Sequence, residues 1–317
     1  MNSNPTIENC DLQNKKYLIC IVGPTAIGKT ALSIKIANHF STEIISADSR
    51  QFYKEMSIGT AVPSSEELAV AHHHFIQNRS IFEDYSVGDF ERDAILLLDK
   101  LFEKHRIVVM VGGSGLYVDA VIKGLDKFPE VSEEIKKNLV SKFETNGIEP
   151  LQKELKQKDP IYFEKVDLQN HHRIIRALGV CRAQEFPYSS FLRTEKPPRN
   201  FKTIFIGLTA ERELIYKRIN QRVDIMLEEG LIEEAKTLHQ HKSLNALQTV
   251  GYRELFSYFE DNFSKEQAIE EIKKNTRRFA KRQGTWFRKN DAIKWFDHQT
   301  NISEVINFIE NTSVSKN

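Results

Sequence analysis

A glycine-rich segment near the start of the chain has the residue types and spacing of a phosphate site. It comprises Gly23, Pro24, Thr25, Ala26, Ile27, Gly28, Lys29 and Thr30. This spacing matches the phosphate-binding pattern G-x-x-x-x-G-K-[ST]. In such a loop the backbone N–H groups surround phosphate oxygens, the lysine adds positive charge, and the last hydroxyl can bind Mg²⁺. The sequence therefore predicts a site for a phosphorylated small molecule, with Thr30 as the Mg²⁺ ligand.

An acidic residue follows the next predicted strand. Asp48 comes directly after the apolar segment 43–47. Ligands of open α/β sheets bind at the carboxyl ends of the strands, so Asp48 is expected to face the phosphate site. An aspartate in this position is more often a helix cap. A nucleotide hydrolase would carry its acid after the strand 107–111, where this chain has Gly112 and Gly113.

The segment 273–289 is strongly basic, with eight Lys and Arg residues and no acid. Four of its polar residues recur at i, i+3, i+4 and i+7, namely Arg278, Lys281, Arg282 and Thr285. We call this set the basic ridge and expect it to share one helix face, opposite a buried stripe of Phe279 and Trp286. Charged runs are usually solvated faces. A one-sided, acid-free face is nevertheless typical of a contact with a phosphate backbone.

Predicted strands and helices, which must position these residues, alternate along the chain. Short apolar runs at 17–22, 43–47, 107–111 and 201–208 predict strands, with helical patterns between them. This alternation predicts an α/β fold, a P-loop NTPase-like parallel sheet flanked by helices. Apolar residues between 126 and 202 recur with helical periods only, which predicts a helical insertion domain. The expected divisions are 1–125 for the first part of the core, 126–202 for the insertion, and 203–317 for the core completion and basic C-terminal helices.

Composition limits the possible classes of protein. The chain has 317 residues with 45 Lys+Arg against 44 Asp+Glu, a net charge of +1. This balance excludes a protein that coats nucleic acid indiscriminately, although it is an average over acidic and basic stretches. No apolar run approaches the roughly 20 residues of a membrane span. Cys10, Cys20 and Cys181 are too scattered for a disulfide framework, so we expect a cytoplasmic protein with no secretory signal and a loose terminus over 2–16.

Six further segments follow the phosphate loop in an order that is typical of one protein family. They are residues 48–53, 56–63, 112–117, 173–178, 222–226 and 276–288. Together with the phosphate loop they resemble the tRNA dimethylallyltransferase family, also called tRNA isopentenyltransferases. No single segment is specific, but their ordered combination from residue 23 to residue 288 is highly so. The chain departs from the family pattern at Val62, Ser114, the segment 168–170 and Gly179.

The resemblance implies a reaction. A dimethylallyl group would pass from dimethylallyl diphosphate to N6 of the adenosine directly 3′ of the tRNA anticodon, releasing diphosphate. Thr25, Lys29, Thr30 and Arg222 would hold the diphosphate, and Asp48 would accept the N6 proton. Cationic groups and N–H donors stabilise the charge that develops on the leaving diphosphate, and a weakly nucleophilic amine needs a nearby base. Catalytic roles thus fall to Asp48, Thr25 and Arg222, with Mg²⁺ as cofactor.

The resemblance also implies contacts with a flipped adenine and an anticodon stem-loop. These contacts would come from Asp48, Ser49, Arg50, Gln51, Ser114, Arg173, Ile174, Ile175 and Arg176, joined by Arg278, Lys281 and Arg282 of the basic ridge. Single-stranded loops are where proteins read RNA sequence, and a base must leave its stack to enter an active site. The expected partners are tRNA and dimethylallyl diphosphate. We expect a monomer without membrane association.

The histidines His72, His73 and His74 suggest a metal site. Three adjacent histidines cannot all point at one ion from a regular element, and no acidic or cysteine cluster is evident in the sequence. We therefore interpret them as structural or close to tRNA.

Other functions remain open at this stage. A P-loop kinase of a nucleoside or small metabolite would use the same loop and Asp48, but leaves the insertion and the basic ridge unexplained. An RNA-binding nucleotide switch leaves Asp48 and Arg222 unexplained. An adenylate isopentenyltransferase of the cytokinin type would need neither the insertion arginines nor the basic ridge.

Overall fold

The computed structural model describes residues 15–192, Lys196 and residues 198–314. They form two compact units. The first contains the chain up to Lys123 together with the chain from Arg199 onward, and the second is Gly124–Pro198. The second unit is thus inserted into the first.

One parallel sheet organises the first unit. Its strands are β1 (Tyr17–Val22), β2 (Ile44–Ser46), β3 (His73–His74), β4 (Ile107–Val111), β5 (Lys202–Thr209) and β6 (Lys294–Asp297). Their order in space is β3-β2-β4-β1-β5-β6, and every neighbouring pair is parallel. This arrangement confirms the predicted α/β fold. The short strands β3 and β6 were not predicted, because neither contains an apolar run.

Thirteen helices surround this sheet or form the second unit, counted over the described residues. In the first unit before the insertion they are α1 (Lys29–His39), α2 (Ser65–Val70), α3 (Val87–Lys104) and α4 (Gly115–Lys123). The second unit contains α5 (Glu133–Asn146), α6 (Glu149–Lys158), α7 (Pro160–Phe163) and α8 (His171–Gln184). The first unit then continues with α9 (Arg212–Glu228), α10 (Leu231–Leu238), α11 (Tyr252–Phe259), α12 (Lys265–Phe287) and α13 (Ile302–Val314).

Both faces of the sheet are buried. Alternate residues of a strand point to opposite faces, and β1 shows the result. Leu18 and Cys20 pack into one hydrophobic cluster, whereas Ile19 and Ile21 pack into another. Burial on both sides explains why β1 and β4 are continuous apolar runs that could be predicted from sequence.

The second unit has its own core. Leu139, Leu151 and Leu178 are buried in it, together with other apolar residues of α5, α6 and α8. At its surface Glu154 accepts hydrogen bonds from Arg182 and Lys142, and these contacts, Arg182 first, lower the pKa of Glu154 to about 2. No strand lies in the described part of this unit. The tRNA-contacting role expected for residues 126–202 stays a prediction.

None of the helices in the described ranges is long and apolar enough to cross a membrane. Cys20 and Cys181 are buried and free. Cys10 and most of the predicted loose terminus lie outside the described residues.

Candidate active site

The phosphate loop joins β1 to α1, and two of its glycines have backbone conformations that disfavour other residues. Gly23 has φ +145°, and a Cβ added there would lie 2.7 Å from the carbonyl oxygen of Leu208. Gly28 has φ +106° and caps the amino end of α1. The loop therefore presents a helix amino terminus, whose free N–H groups and dipole favour an anion.

Lys29 is folded back over this loop. Its Nζ donates a 2.8 Å hydrogen bond to the carbonyl oxygen of Pro24. Burial of the ammonium group lowers the pKa of Lys29 to about 8, Asp48 acts in the opposite direction, and Arg222 adds to the lowering. Part of the side chain is nevertheless accessible to solvent. An arriving anion can therefore reach a lysine whose charge is poorly stabilised without it.

Helix α9 brings a second cation to the loop. Nη1 of Arg222 lies 3.4 Å from Oγ1 of Thr25, and Nη1 of Arg218 lies 3.4 Å from the carbonyl oxygen of Ile27. Burial lowers the pKa of Arg222, while Asp48 raises it. The structure thus brings Thr25, Lys29 and Arg222 together, residues that are up to 197 positions apart.

A cleft of about 660 Å³ opens beside these groups. Its wall includes residues 26–31 of the phosphate loop and α1, residues 61–64, and Arg222, Ile225 and Met226 of α9. The lining therefore combines the cationic Lys29 and Arg222 with apolar side chains, and it also includes the acidic residues Glu67 and Glu229. Such a wall suits a ligand with a charged head and a hydrocarbon end.

Asp48 lies after β2, in a turn that the structure stabilises internally. Its Oδ1 accepts the backbone N–H of Arg50 at 3.2 Å. Asp48 is not among the residues that line the cleft, but its charge raises the pKa of both Lys29 and Arg222. The carboxylate therefore acts electrostatically on both cations of the phosphate site, while its predicted position facing that site stays a prediction.

The residues after Asp48 are tied to three other segments. The backbone N–H of Ser49 donates to Oγ of Ser114, and the two hydroxyls are also 3.1 Å apart. Arg50 Nη1 donates to the carbonyl oxygen of Ala246 at 3.0 Å, and Gln51 Nε2 donates to that of Ala61 at 2.8 Å. Ser114 therefore belongs beside the 48–51 turn, while contact of these residues with RNA stays a prediction.

Gln283 of α12 is a site residue that the sequence did not reveal. Its Oε1 accepts the backbone N–H of Thr25 at 2.9 Å, and its Nε2 donates to the carbonyl oxygen of Gly113 at 3.1 Å. A Cβ on Gly113 would lie 2.1 Å from that amide nitrogen, so the contact requires glycine. The available signal was a helical spacing that places Gln283 in line with the buried residues Ala280 and Phe287.

Glu234 of α10 is a second such residue. Its carboxylate accepts three backbone N–H groups, those of Ser57, Ile58 and Gly59, each at 2.9 Å. It also accepts the hydroxyl of Tyr252 at 2.6 Å, and burial raises the pKa of that phenol. This carboxylate fixes the segment 57–59, of which Ser57 and Ile58 line the cleft.

The basic ridge lies on the surface, but the aromatic residues predicted to form a buried stripe opposite it are not buried. Arg278, Lys281, Arg282 and Thr285 are all exposed. Phe279 and Trp286, expected to be buried, are 37% and 42% exposed. The buried residues of this part of α12 are Ala280, Gln283 and Phe287, so the apolar stripe was assigned to positions one residue away from the true contact face.

The exposed aromatic residues instead lie among the basic ones. The guanidinium of Arg282 lies over the ring of Phe279, 5.7 Å from its centre. Nε1 of Trp286 donates to Asp119 at 3.1 Å, which fixes the indole at the surface. A surface of cationic groups and exposed rings is a common arrangement for binding single-stranded nucleic acid.

In the second unit, α8 carries the predicted insertion residues. Arg173 and Arg176 are exposed, and the Arg176 guanidinium lies 5.2 Å from the centre of the Phe128 ring. Ile175 is partly buried, whereas Ile174 is fully buried in the core of the unit. The Ile174 side chain is therefore inaccessible, and the predicted contact of this residue with tRNA could come only from its backbone. The two arginines and Ile175 remain candidates.

Comparison with known proteins agrees with this arrangement. Residues 51–290 match the family described as IPP transferase. The chain is 59% identical over 300 residues to a tRNA dimethylallyltransferase of Flavobacterium johnsoniae, covering 93% of this chain and 97% of the relative. It is 62% identical over 294 residues to the protein of that name in Christiangramia forsetii, with the same two coverages of 93% and 97%.

Solved structures of tRNA prenyltransferases are also similar to this chain. The full-length tRNA isopentenylpyrophosphate transferase of Bacillus halodurans superposes with a TM-score of 0.71 at 37% identity, covering 94% of this chain and 97% of that one. A eukaryotic dimethylallyltransferase captured acting on tRNA superposes with a TM-score of 0.80 at 26% identity, covering 94% and 80%. The family match over most of the chain and these close relatives lead to one conclusion: the chain belongs to the tRNA dimethylallyltransferase family.

Proposed function

We propose that this protein transfers a dimethylallyl group from dimethylallyl diphosphate to N6 of the adenosine directly 3′ of the tRNA anticodon. The observation that carries the proposal is the approach of Arg222 to Thr25 in the phosphate loop, with Lys29 beside them. Relatives with 59% and 62% identity bear the name of this activity.

The diphosphate end of the donor fits the cationic part of the cleft. As the allylic C–O bond breaks, negative charge develops on the leaving diphosphate. Lys29, Arg222 and the N–H groups at the start of α1 are already held around that position, so their stabilisation grows with the charge. The apolar wall of Ile225 and Met226 suits the five-carbon chain.

Proton removal falls to Asp48. The reaction breaks the bond between C1 of the dimethylallyl group and oxygen, and forms a bond between C1 and N6 of the adenine. One N6 proton must leave, and we assign it to the carboxylate of Asp48. The charge of Asp48 acts on both Lys29 and Arg222, so the carboxylate shares the electrostatic environment of the proposed diphosphate site.

The oxygen donors near the loop fit Mg²⁺. Thr30 lines the cleft, and none of the hydrogen bonds between described side chains uses its hydroxyl. Mg²⁺ in phosphate sites takes only one or two protein ligands, the remainder being water and phosphate oxygen. Thr30 would hold the ion, which when bound supplies additional positive charge to the diphosphate.

The tRNA surface is proposed from both units. In the first unit, the 48–51 turn and Ser114 would receive the flipped adenine, and the basic ridge with Phe279 and Trp286 would contact the RNA backbone and unstacked bases. In the second unit, Arg173 and Arg176 present exposed guanidinium groups. A monomeric, cytoplasmic enzyme remains our expectation.

The direct test is incubation with radiolabelled dimethylallyl diphosphate, Mg²⁺ and an anticodon stem-loop that carries adenosine at the target position. We expect label in the RNA, and none in a stem-loop with guanosine there. Transfer to AMP and not to RNA would support an adenylate isopentenyltransferase. Phosphate transfer from ATP to a nucleoside would support the P-loop kinase, and either result would contradict the proposal.

A further inference from the structure

A group of metal-ligating side chains lies near the amino ends of the neighbouring strands β2 and β3, away from the phosphate loop. Glu43 precedes β2, His72 precedes β3, and His74 ends β3. Ligand atoms of these three residues all lie within 4.8 Å of one another. Glu43 is distant from the histidines in sequence and adjacent to them in the sheet, so the sequence showed no acidic cluster beside them although one acid lies there.

Strand geometry explains why two of the three histidines converge. β2 and β3 are parallel, with Ile44 opposite His73 and Ile45 opposite His74. Side chains alternate along a strand, so His72 and His74 share the face of Glu43 and Ile45. His73 points to the other face, where it is buried and its Nδ1 lies 2.8 Å from the carbonyl oxygen of Ala71.

The contacts within the group are close. Nε2 of His74 lies 2.8 Å from one carboxylate oxygen of Glu43, and the rings of His72 and His74 are 4.4 Å apart between centres. Nε2 of His105, at the end of α3 and just before β4, lies 3.6 Å from the other oxygen of Glu43. His72 is exposed and the other three are partly exposed, so a metal ion from solvent can reach them.

We propose that Glu43, His72 and His74 form a binding site for Zn²⁺, with His105 or water as the fourth ligand. Two imidazoles and a carboxylate are a ligand set that zinc accepts, whereas Mg²⁺ prefers oxygen alone. In a tetrahedral site with zinc bonds of about 2.0–2.1 Å, neighbouring ligand atoms are roughly 3.3 Å apart. The observed separations, 2.8 Å and 3.6 Å from Glu43 to His74 and His105 and up to 4.8 Å within the group, bracket that value.

The site would anchor an edge strand. β3 has only two residues and pairs with β2 alone. Its backbone link to β2 includes the bond from the N–H of Ile44 to the carbonyl oxygen of His72. A metal shared by β3, the start of β2 and the end of α3 would join three elements at the sheet end opposite Asp48. Its role would be structural, and independent of the proposed transfer reaction.

The test is a zinc competition titration of untagged, EDTA-treated protein against a chromophoric chelator, with Mg²⁺ in excess throughout. We expect one Zn²⁺ per chain. Loss of a residue that only hydrogen-bonds to a metal ligand weakens metal binding by roughly 10- to 100-fold. Because His72 and Glu43 are proposed as direct ligands, His72→Asn and Glu43→Gln should each weaken zinc binding by more than that. Zinc should raise Tm of the wild-type protein and leave that of His72→Asn unchanged.

The controls separate metal binding from folding. His171 and His172 form another histidine pair, with ring centres 4.0 Å apart in the second unit. The double substitution His171→Asn with His172→Asn should leave zinc affinity unchanged. Because His72 is exposed, the Tm of His72→Asn in EDTA should equal that of the wild-type protein in EDTA. Addition of Co²⁺ should produce the visible absorption of a four-coordinate site in the wild-type protein and not in His72→Asn. Zinc affinity equal in His72→Asn and wild type, or no zinc retained by the wild type against the chelator, would overturn the proposal.

Discussion

Gln283 holds the phosphate loop through the backbone of Thr25, from a position 258 residues further along the chain. The same amide donates to the carbonyl oxygen of Gly113, so one side chain of α12 joins the loop after β1 to the turn after β4. Two helical turns of α12 around it carry the basic ridge. The helix expected to contact tRNA is thus bonded directly to the loop expected to hold the diphosphate.

Replacing this glutamine should damage both stability and diphosphate binding. In Gln283→Leu the N–H of Thr25 and the carbonyl oxygen of Gly113 are left without this partner, which should lower the free energy of unfolding by about 1–3 kcal/mol. Urea denaturation measures this change, and calorimetry with pyrophosphate should show weaker binding. The control Gln299→Leu alters an exposed glutamine and should change neither the free energy of unfolding nor the affinity for pyrophosphate. Equal stability of the two variants would mean that Gln283 does not hold the loop.

Arg222 should act mainly on the chemical step. Arg222→Ala removes the donor that we propose faces the leaving diphosphate, and loss of one such donor reduces kcat by roughly 10²–10³-fold. Arg222→Lys should recover only part of that loss, because an ammonium lacks the planar fork of the guanidinium.

The matched control for Arg222 is Arg212→Ala, at the start of the same helix, where the exposed side chain donates a hydrogen bond to the hydroxyl of the partly buried Tyr216 and lies over its ring. Single-turnover transfer should be nearly normal in this control. A KM increase without a change in kcat for Arg222→Ala would show that Arg222 contributes uniform binding and not stabilisation of the departing charge.

The affinity for pyrophosphate should depend on Lys29 at alkaline pH. Burial lowers the pKa of Lys29 from 10.5 to about 8 in the free protein, and a bound diphosphate should raise it again. Binding above about pH 8 must therefore include proton uptake, so affinity should fall as pH rises through that value. The effect of Lys29 on folding stability has the opposite pH dependence. Between pH 8 and 10.5 the unfolded chain binds more protons at this residue than the folded protein does, so the contribution of Lys29 to the free energy of unfolding increases as pH rises.

The measurement is calorimetry with pyrophosphate at several pH values in two buffers of different ionisation enthalpy. Lys29→Met removes the titrating group while the ligand's own titration is unchanged, so the difference between the two proteins reports Lys29. A difference that stays constant from about pH 7 to 10 would contradict a lowered pKa at Lys29.

The basic ridge should account for part of the salt dependence of tRNA binding. Changing Arg278, Lys281 and Arg282 together to Gln should weaken binding, and should reduce the slope of log Kd against log salt by about 0.7–0.9 for each phosphate that these side chains neutralise in the wild type. Trp286→Ala should weaken binding with little change in that slope, because stacking does not release counterions.

A charge-matched control distinguishes the ridge from a general electrostatic effect. Lys35, Lys100 and Lys236 are exposed on other helices, and their triple change to Gln alters the net charge by the same amount. If this control changes the slope as much as the ridge variant does, the ridge is only a solvated face.

The parts of the site that could be predicted from sequence are those that are contiguous. The phosphate loop and Asp48 sit in short segments next to fully buried strands, and local spacing was sufficient to identify them. Gln283 and Glu234 act on backbone groups at least 170 positions away, and no local pattern indicates such partners. The fold class followed from β1 and β4, whose burial on both faces makes them apolar throughout.

Errors arose where helical phase or strand pairing decided the outcome. Ala280, Gln283 and Phe287 face the core with a period that Phe279 and Trp286 follow equally well, and only packing distinguishes the two. Glu43 and His72 are side by side because β3 pairs with β2, and a strand of two residues leaves no hydrophobic signal. Both features depend on tertiary contacts that a single sequence does not display.

Asp48 is proposed to remove the proton from an adenine whose N6 attacks dimethylallyl diphosphate held by the phosphate loop. The most direct test is single-turnover transfer from labelled dimethylallyl diphosphate to an anticodon stem-loop by Asp48→Asn, with pyrophosphate affinity measured in parallel. In this variant transfer should fall by roughly 10²–10⁴-fold, the usual contribution of general base catalysis, while pyrophosphate binds at least as tightly because a nearby negative charge is gone. Transfer at the wild-type rate would show that Asp48 is not the base.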